Sequence, residues 1–218
     1  MMSGQPRFND IFEDWAEKYD QEISGGNPQY EEVFAGYATI LETVVDSLEA
    51  PRGGTVMEIG VGTGNLSQVI LNKGFQVIGV EPSTQMQKLA AQKVPAMDLR
   101  AGHFLDLPDT TPLDGIVSTY AFHHLTDEEK DDSIRQMAER LKPNAKIVFA
   151  DTAFRDEAHY LEMVAEARAN GFNDLADDLE REYYPVLPRL EQSFERAGLR
   201  VQFKALNRYV WLMIASKN

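Results

Sequence analysis

The chain contains no cysteine. Disulfides, thiolate metal sites and cysteine nucleophiles are therefore excluded together. Positive charge is scarce too: 21 Lys and Arg stand against 35 Asp and Glu, a formal net charge of -14. Nucleic-acid affinity begins with phosphate neutralisation by Lys and Arg, so a nucleic-acid partner is not expected. Long apolar runs are missing as well. The longest near the C-terminus covers 210–215, far short of the roughly 20 residues a spanning helix needs. The opening residues, Met1 to Arg7, lack the apolar stretch of a secretion signal. These absences predict a soluble, cytoplasmic protein with no membrane partner. They leave the oligomeric state unread.

What is present has the periodicity of an α/β protein, and 218 residues suit one ordinary domain with a small cap. Phe8, Ile11, Phe12, Trp15, Ala16 and Tyr19 recur at helical spacing until Ser24-Gly25-Gly26-Asn27-Pro28 breaks it. A second apolar stripe runs through Val33, Phe34, Tyr37, Ile40, Leu41, Val44, Val45 and Leu48. From residue 55 strands and helices alternate. Strands are predicted at 56–59, 75–80, 97–100, 115–119 and 146–150, with helices between them. Thr126-Asp127-Glu128-Glu129 has the spacing of a capping box, and Lys142-Pro143-Asn144 ends the helix it opens. A charged helical stretch covers 155–182, and the short link 206–208 joins two final strands as an antiparallel hairpin. The predicted fold is α/β: a Rossmann-like, doubly wound, mostly parallel seven-stranded sheet with a C-terminal antiparallel hairpin and a small helical cap. Residues 1–50 are read as that cap. Residues 51–218 are read as the main domain, with a helical insertion at about 152–188 contributing to a lid.

The first strand runs into Glu58-Ile59-Gly60-Val61-Gly62-Thr63-Gly64-Asn65, and the second ends at Glu81. Gly60, Gly62 and Gly64 allow a sharp turn and the close approach of a ligand. A carboxylate at Glu81 can accept hydrogen bonds from both hydroxyls of a ribose. Two cofactor classes compete for such a turn. A dinucleotide fingerprint needs a third glycine where this chain has Asn65, and Glu58 would repel a pyrophosphate. A ligand carrying a sulfonium and an ammonium suits an acidic site.

The turn resembles motif I of the class I S-adenosylmethionine-dependent methyltransferases. Residues 12–20, Gly62-Thr63-Gly64-Asn65-Leu66, 118–130 and Ile147-Val148-Phe149-Ala150-Asp151-Thr152 extend the likeness over nearly the whole chain, to the YrrT-type bacterial methyltransferases. The resemblance implies S-adenosylmethionine as cofactor, S-adenosylhomocysteine as product and a small-molecule acceptor. It implies cofactor contacts at Gly60, at Glu81 and beside Phe104, where His103 replaces the family's aspartate at the adenine. It also suggests that Tyr19 closes over the methionine end and that Thr119 faces the methyl group.

His123 and His124 follow the fourth strand and are the candidate catalytic residues, since histidine is the usual general base near neutral pH. Without cysteine or a third placed ligand they do not predict a metal site. Tyr30, Phe34, Tyr37, Phe154, Tyr183 and Tyr184 are the aromatic residues from which a lid would be built. Two other readings remain: a non-catalytic protein that binds S-adenosylmethionine or S-adenosylhomocysteine, and a nicotinamide-dependent oxidoreductase.

Overall fold

In the computed structural model, residues 22–217 are described. The predicted first helix, with Tyr19, lies outside them.

The β-branched runs after residue 55 become a seven-stranded sheet. In chain order its strands are β1 (Thr55–Ile59), β2 (Gln76–Glu81), β3 (Asp98–Ala101), β4 (Leu113–Thr119), β5 (Leu141–Thr152), β6 (Leu199–Ala205) and β7 (Val210–Lys217). Their order across the sheet is β3-β2-β1-β4-β5-β7-β6. The first five strands pair in parallel, and β7 runs antiparallel to both β5 and β6. Strand order reverses between β1 and β4. In doubly wound sheets, ligands collect at the carboxyl ends on either side of such a reversal.

The helices are α1 (Tyr37–Ser47), α2 (Asn65–Asn72), α3 (Thr84–Lys93), α4 (Asp127–Arg140), α5 (Glu157–Ala169), α6 (Asn173–Arg181) and α7 (Leu187–Arg196). Successive strand residues point to opposite faces, so two cores form. Val56, Val77, Val117 and Val148 meet Ile40, Val44 and Leu48 of α1 and Leu66 and Ile70 of α2. Met57, Ile78, Ile116 and Ile147 meet Ile134 and Met137 of α4 and Leu190 and Phe194 of α7. The predicted capping box is present: Glu129 N–H donates to Thr126 Oγ1 at 3.3 Å, and Thr126 N–H to Glu129 Oε2 at 2.8 Å.

Most strand ends shift by one or two residues from expectation, and three differences are larger. Helix α1 starts at Tyr37, because Gly36 before it is left-handed (φ 76); Val33 and Phe34 belong to a turn. The charged stretch is two helices, α5 and α6, parted at Gly171 (φ 74). Strand β5 begins at Leu141, before the Pro143 that was expected to precede it. Pairing slips there: Leu113 faces Leu141, but Gly115 faces Lys146. Proline is tolerated in a strand at such an irregularity.

Candidate functional site

The turn after β1 is built from backbone. Gly60, Gly62 and Gly64 all have positive φ (76, 57 and 90), a region that costs other residues about 1–2 kcal/mol. At Gly60 there is also no room, since a Cβ would lie 2.8 Å from Cβ of Ala121. Glu58 is 1% exposed and accepts a short hydrogen bond from the Ser67 hydroxyl of α2. Burial pushes its carboxyl up to about 8 against that hydrogen bond, and the nearby Glu81 adds to the rise. Glu58 thus ties strand to helix beneath the turn.

Glu81 closes β2. Its Oε2 accepts the Gly62 N–H at 2.9 Å and its Oε1 the Ser83 N–H at 2.8 Å. Burial raises its carboxyl to about 7 despite these two donors. A carboxylate has about four acceptor sites. Among the described residues two remain unfilled, one on each oxygen, which is the acceptor set a ribose diol requires.

His103 follows β3 in a tight bridge with Asp106. Its Nδ1 accepts the Leu105 N–H at 3.2 Å, and burial lowers its pKa. A neutral ring with Nδ1 accepting carries its proton on Nε2. The nitrogen left for a ligand is therefore a donor, whereas the family's aspartate is an acceptor. Phe104 is buried, its ring packed at 5.3 Å from Phe122 and 6.2 Å from Phe149.

On the other side of the reversal, β4 ends at Thr119, opposite Ala150 of β5. Tyr120 comes next with φ 52, a strained conformation for a bulky residue that is found mostly where surroundings enforce it. Its N–H donates to Ala150 O at 3.0 Å, and its ring lies 5.3 Å from Phe34 and 5.7 Å from Tyr37. His123 and His124 then form a single helical turn, Phe122–His124. His123 Nδ1 lies 2.6 Å from Asp151 Oδ1, and His124 Nδ1 lies 2.9 Å from Glu182 Oε2. The Tyr184 ring stacks on His123 at 4.8 Å and 23°. Lys130, 1% exposed, donates to Leu125 O and, at 2.7 Å, to Tyr183 O. It therefore joins the histidine loop to the segment carrying Tyr184.

A cover of long-range hydrogen bonds adjoins these strand ends. Gln29 Oε1 accepts the Asp174 N–H at 3.0 Å, its Nε2 donates to Asp174 Oδ2 at 2.7 Å, and the Tyr30 hydroxyl donates to Asp178. Asn207 Nδ2 donates to Val33 O at 3.0 Å and Ala35 O at 3.1 Å. Four residues of the site were given no role by the sequence: Ser67, Tyr120, Lys130 and Asp151. Tyr120, Lys130 and Asp151 lie inside the family-like segments 118–130 and 147–152, but nothing in those segments assigns them a partner.

A family model described as a methyltransferase domain matches residues 56–144. An uncharacterized methyltransferase of Geobacillus kaustophilus is 50% identical over 212 residues, covering 96% of this chain and 97% of the relative. One from Anoxybacillus flavithermus is 49% identical over 211 residues, covering 96% and 98%. The chain belongs to the class I S-adenosylmethionine-dependent methyltransferases. The methyltransferase fold agrees with solved structures at lower identity. Magnesium protoporphyrin IX methyltransferase from Synechocystis, with bound S-adenosylmethionine, aligns at TM-score 0.72 with 16% identity over 100% of this chain and 99% of that one. A TehB-like methyltransferase from Corynebacterium glutamicum aligns at 0.67 with 16% identity, covering 96% and 99%. The spare acceptor sites of Glu81 and the Cβ-free turn at Gly60 fit the adenosyl cofactor of this family. Among the described residues no helix is long and apolar enough to cross a membrane.

Proposed function

We propose that this methyltransferase acts on a small-molecule acceptor, enclosed beneath the aromatic cover, by direct in-line transfer. One observation carries this reading. The β4 and β5 ends are bordered by Phe34, Tyr37, Tyr120 and Tyr184, and the segment holding the first two is fastened to α6 through Gln29 and Tyr30. Such a cover suits a compact acceptor and keeps water from the transfer. The net charge of -14 makes a polynucleotide acceptor unfavourable.

In this reading Glu81 takes the ribose hydroxyls, and Gly60, Gly62 and Gly64 let the methionine portion lie against backbone. Glu58 holds the turn from below. His103 donates to a ring nitrogen of adenine, Phe104 supports that loop, and Thr119 faces the methyl group. Tyr19, which the family resemblance assigns to the methionine end, lies outside the described residues. The bound cofactor supplies an activated methyl group. The chain's own part is to orient the acceptor, and orientation alone contributes roughly 7–11 kcal/mol in favourable cases. His123 and His124 stand on the acceptor side. Among class I enzymes we place the chain with the YrrT-type group, on the motifs of 118–130 and 147–152.

The test is a labelled-methyl transfer assay on cell extract separated into small-molecule, protein and nucleic-acid fractions. Label is expected in the small-molecule fraction. Label confined to protein or nucleic acid overturns the reading.

A further inference from the structure

Asp151 sits at the carboxyl end of β5, 2% exposed, and four donors converge on it. Oδ2 accepts the N–H of Phe122 at 2.6 Å and of His123 at 3.2 Å. Oδ1 accepts the Thr152 N–H at 2.7 Å and faces His123 Nδ1 at 2.6 Å. Burial alone would raise this carboxyl. The His123 ring and the backbone donors outweigh burial and hold it below its ordinary value. An ionised carboxylate can only accept, so His123 Nδ1 carries a proton. In the neutral ring Nε2 must then hold a lone pair. The His123 side chain is 10% exposed, and among the described residues no hydrogen-bond partner meets its Nε2. The ring is fixed between His124, 4.1 Å away, and Tyr184, 4.8 Å away.

We propose that Asp151 is a positioning residue that fixes His123 as the general base for a hydroxyl acceptor. This deepens the methyl-transfer reading and rests on it. An amine can lose its ammonium proton to solvent and then attacks through a free lone pair, and a thiol ionises readily near neutral pH, so a placed base matters less for either. A hydroxyl oxygen becomes an adequate nucleophile only as its proton leaves. His123 Nε2 takes that proton while the acceptor oxygen bonds to the methyl carbon. The carbon–sulfur bond breaks with its electron pair remaining on sulfur. Positive charge passes from sulfonium to imidazolium, beside the Asp151 carboxylate.

Two measurements test the proposal. Nitrogen-15 NMR of the full-length protein reads the His123 tautomer without any turnover. Protonation at Nδ1 is expected in the wild type and at Nε2 in Asp151→Asn, because the amide must turn its NH2 towards the ring. A wild-type His123 protonated at Nε2 overturns the proposal whether or not the variant folds. The second measurement is methyl transfer to a panel of phenols of graded acidity, aliphatic alcohols, thiols and amines. Wild-type transfer should favour hydroxyls. His123→Ala should lose about 10²–10⁴-fold in kcat on weakly acidic hydroxyls, much less on an already ionised nitrophenol, and recover in part with added imidazole. Transfer to thiols or amines alone, unchanged in His123→Ala, overturns the hydroxyl assignment and leaves the methyl-transfer reading intact. Tight cofactor binding with no transfer to any compound counts against that reading instead, and the tautomer still decides the role of Asp151.

Discussion

Around the glycine turn the two buried carboxylates find partners close in sequence: Ser67 reaches Glu58 across 9 residues, and Gly62 reaches Glu81 across 19. Beyond β4 the partners are far apart: His124 meets Glu182 across 58 residues, and Gln29 meets Asp174 across 145. The first region is largely backbone and buried carboxylate, fixed by one strand–turn–helix unit and its neighbour. The second is assembled from side chains of four separate segments. A cofactor common to a whole family suits the first kind of construction, since a local unit can be kept intact. An acceptor site suits the second, where exchanging side chains on one segment reshapes the chamber without disturbing the turn. If this division is right, damage on one side should leave the ligand of the other side bound normally.

The largest effect is expected at Glu81. Replacing it by alanine removes two prospective charge-assisted hydrogen bonds to ribose, each worth about 1.5–3 kcal/mol, and frees the Gly62 N–H. Affinity for S-adenosylhomocysteine, read by calorimetry, should fall at least about 100-fold. Unchanged affinity would remove Glu81 from the cofactor site and break the comparison at its firmer end. Next is Gly60→Ala. Its left-handed backbone alone costs roughly 1–2 kcal/mol, and the close approach to Ala121 adds to that. At about 2–4 °C per kcal/mol for a chain of this size, the melting temperature should drop by several degrees. An unshifted Tm would mean the turn tolerates a side chain and is looser than described.

The same division explains what the sequence made legible. The turn, its acidic partners and the capping box at Thr126 are local patterns, readable because their physics spans a few residues. The α1 start is misread because Val33 and Phe34 continue its apolar stripe; Val33 is indeed buried, but Gly36 turns the chain between these two residues and Tyr37. Pro143 and Asn144 looked like a stop, yet pairing resumes across the slip between Leu141 and Lys146. Asp151 could be seen as a strand end, but nothing along the 28-residue separation announces that it would receive His123. His103 shows a subtler limit. Its presence was plain, but the nitrogen it offers depends on the Leu105 N–H that occupies the other one.

A pH experiment sharpens the cofactor side. Glu58 and Glu81 have folded-state values raised to about 8 and about 7 from 4.5. A raised carboxyl favours the folded state only while protonated in both states, below about pH 4.5. That contribution fades as pH rises towards the folded values, because the unfolded chain ionises first. Glu81→Gln should therefore gain stability relative to the wild type between pH 5 and 7 and hold level above. Denaturant unfolding at stepped pH gives the difference directly. A flat difference would show that Glu81 titrates at its ordinary value, as an open strand end would.

The smallest effect tests the cover. Helix α6 has Phe172 at its N-cap, with no side-chain cap of its own. Gln29, from the far end of the chain, accepts the Asp174 N–H instead. Losing an N-cap acceptor costs about 0.5–2 kcal/mol. Gln29→Ala should therefore lower Tm by only a few degrees and leave S-adenosylhomocysteine affinity within the error of the wild type. Its KM for the acceptor should rise, because the segment carrying Phe34 and Tyr37 loses one of its fastenings to α6 while the Tyr30–Asp178 hydrogen bond stays. That combination, an intact cofactor site with a loosened acceptor site, can arise only if the two regions are energetically separable. A parallel loss of cofactor affinity would instead make the cover part of the cofactor site and dissolve the distinction.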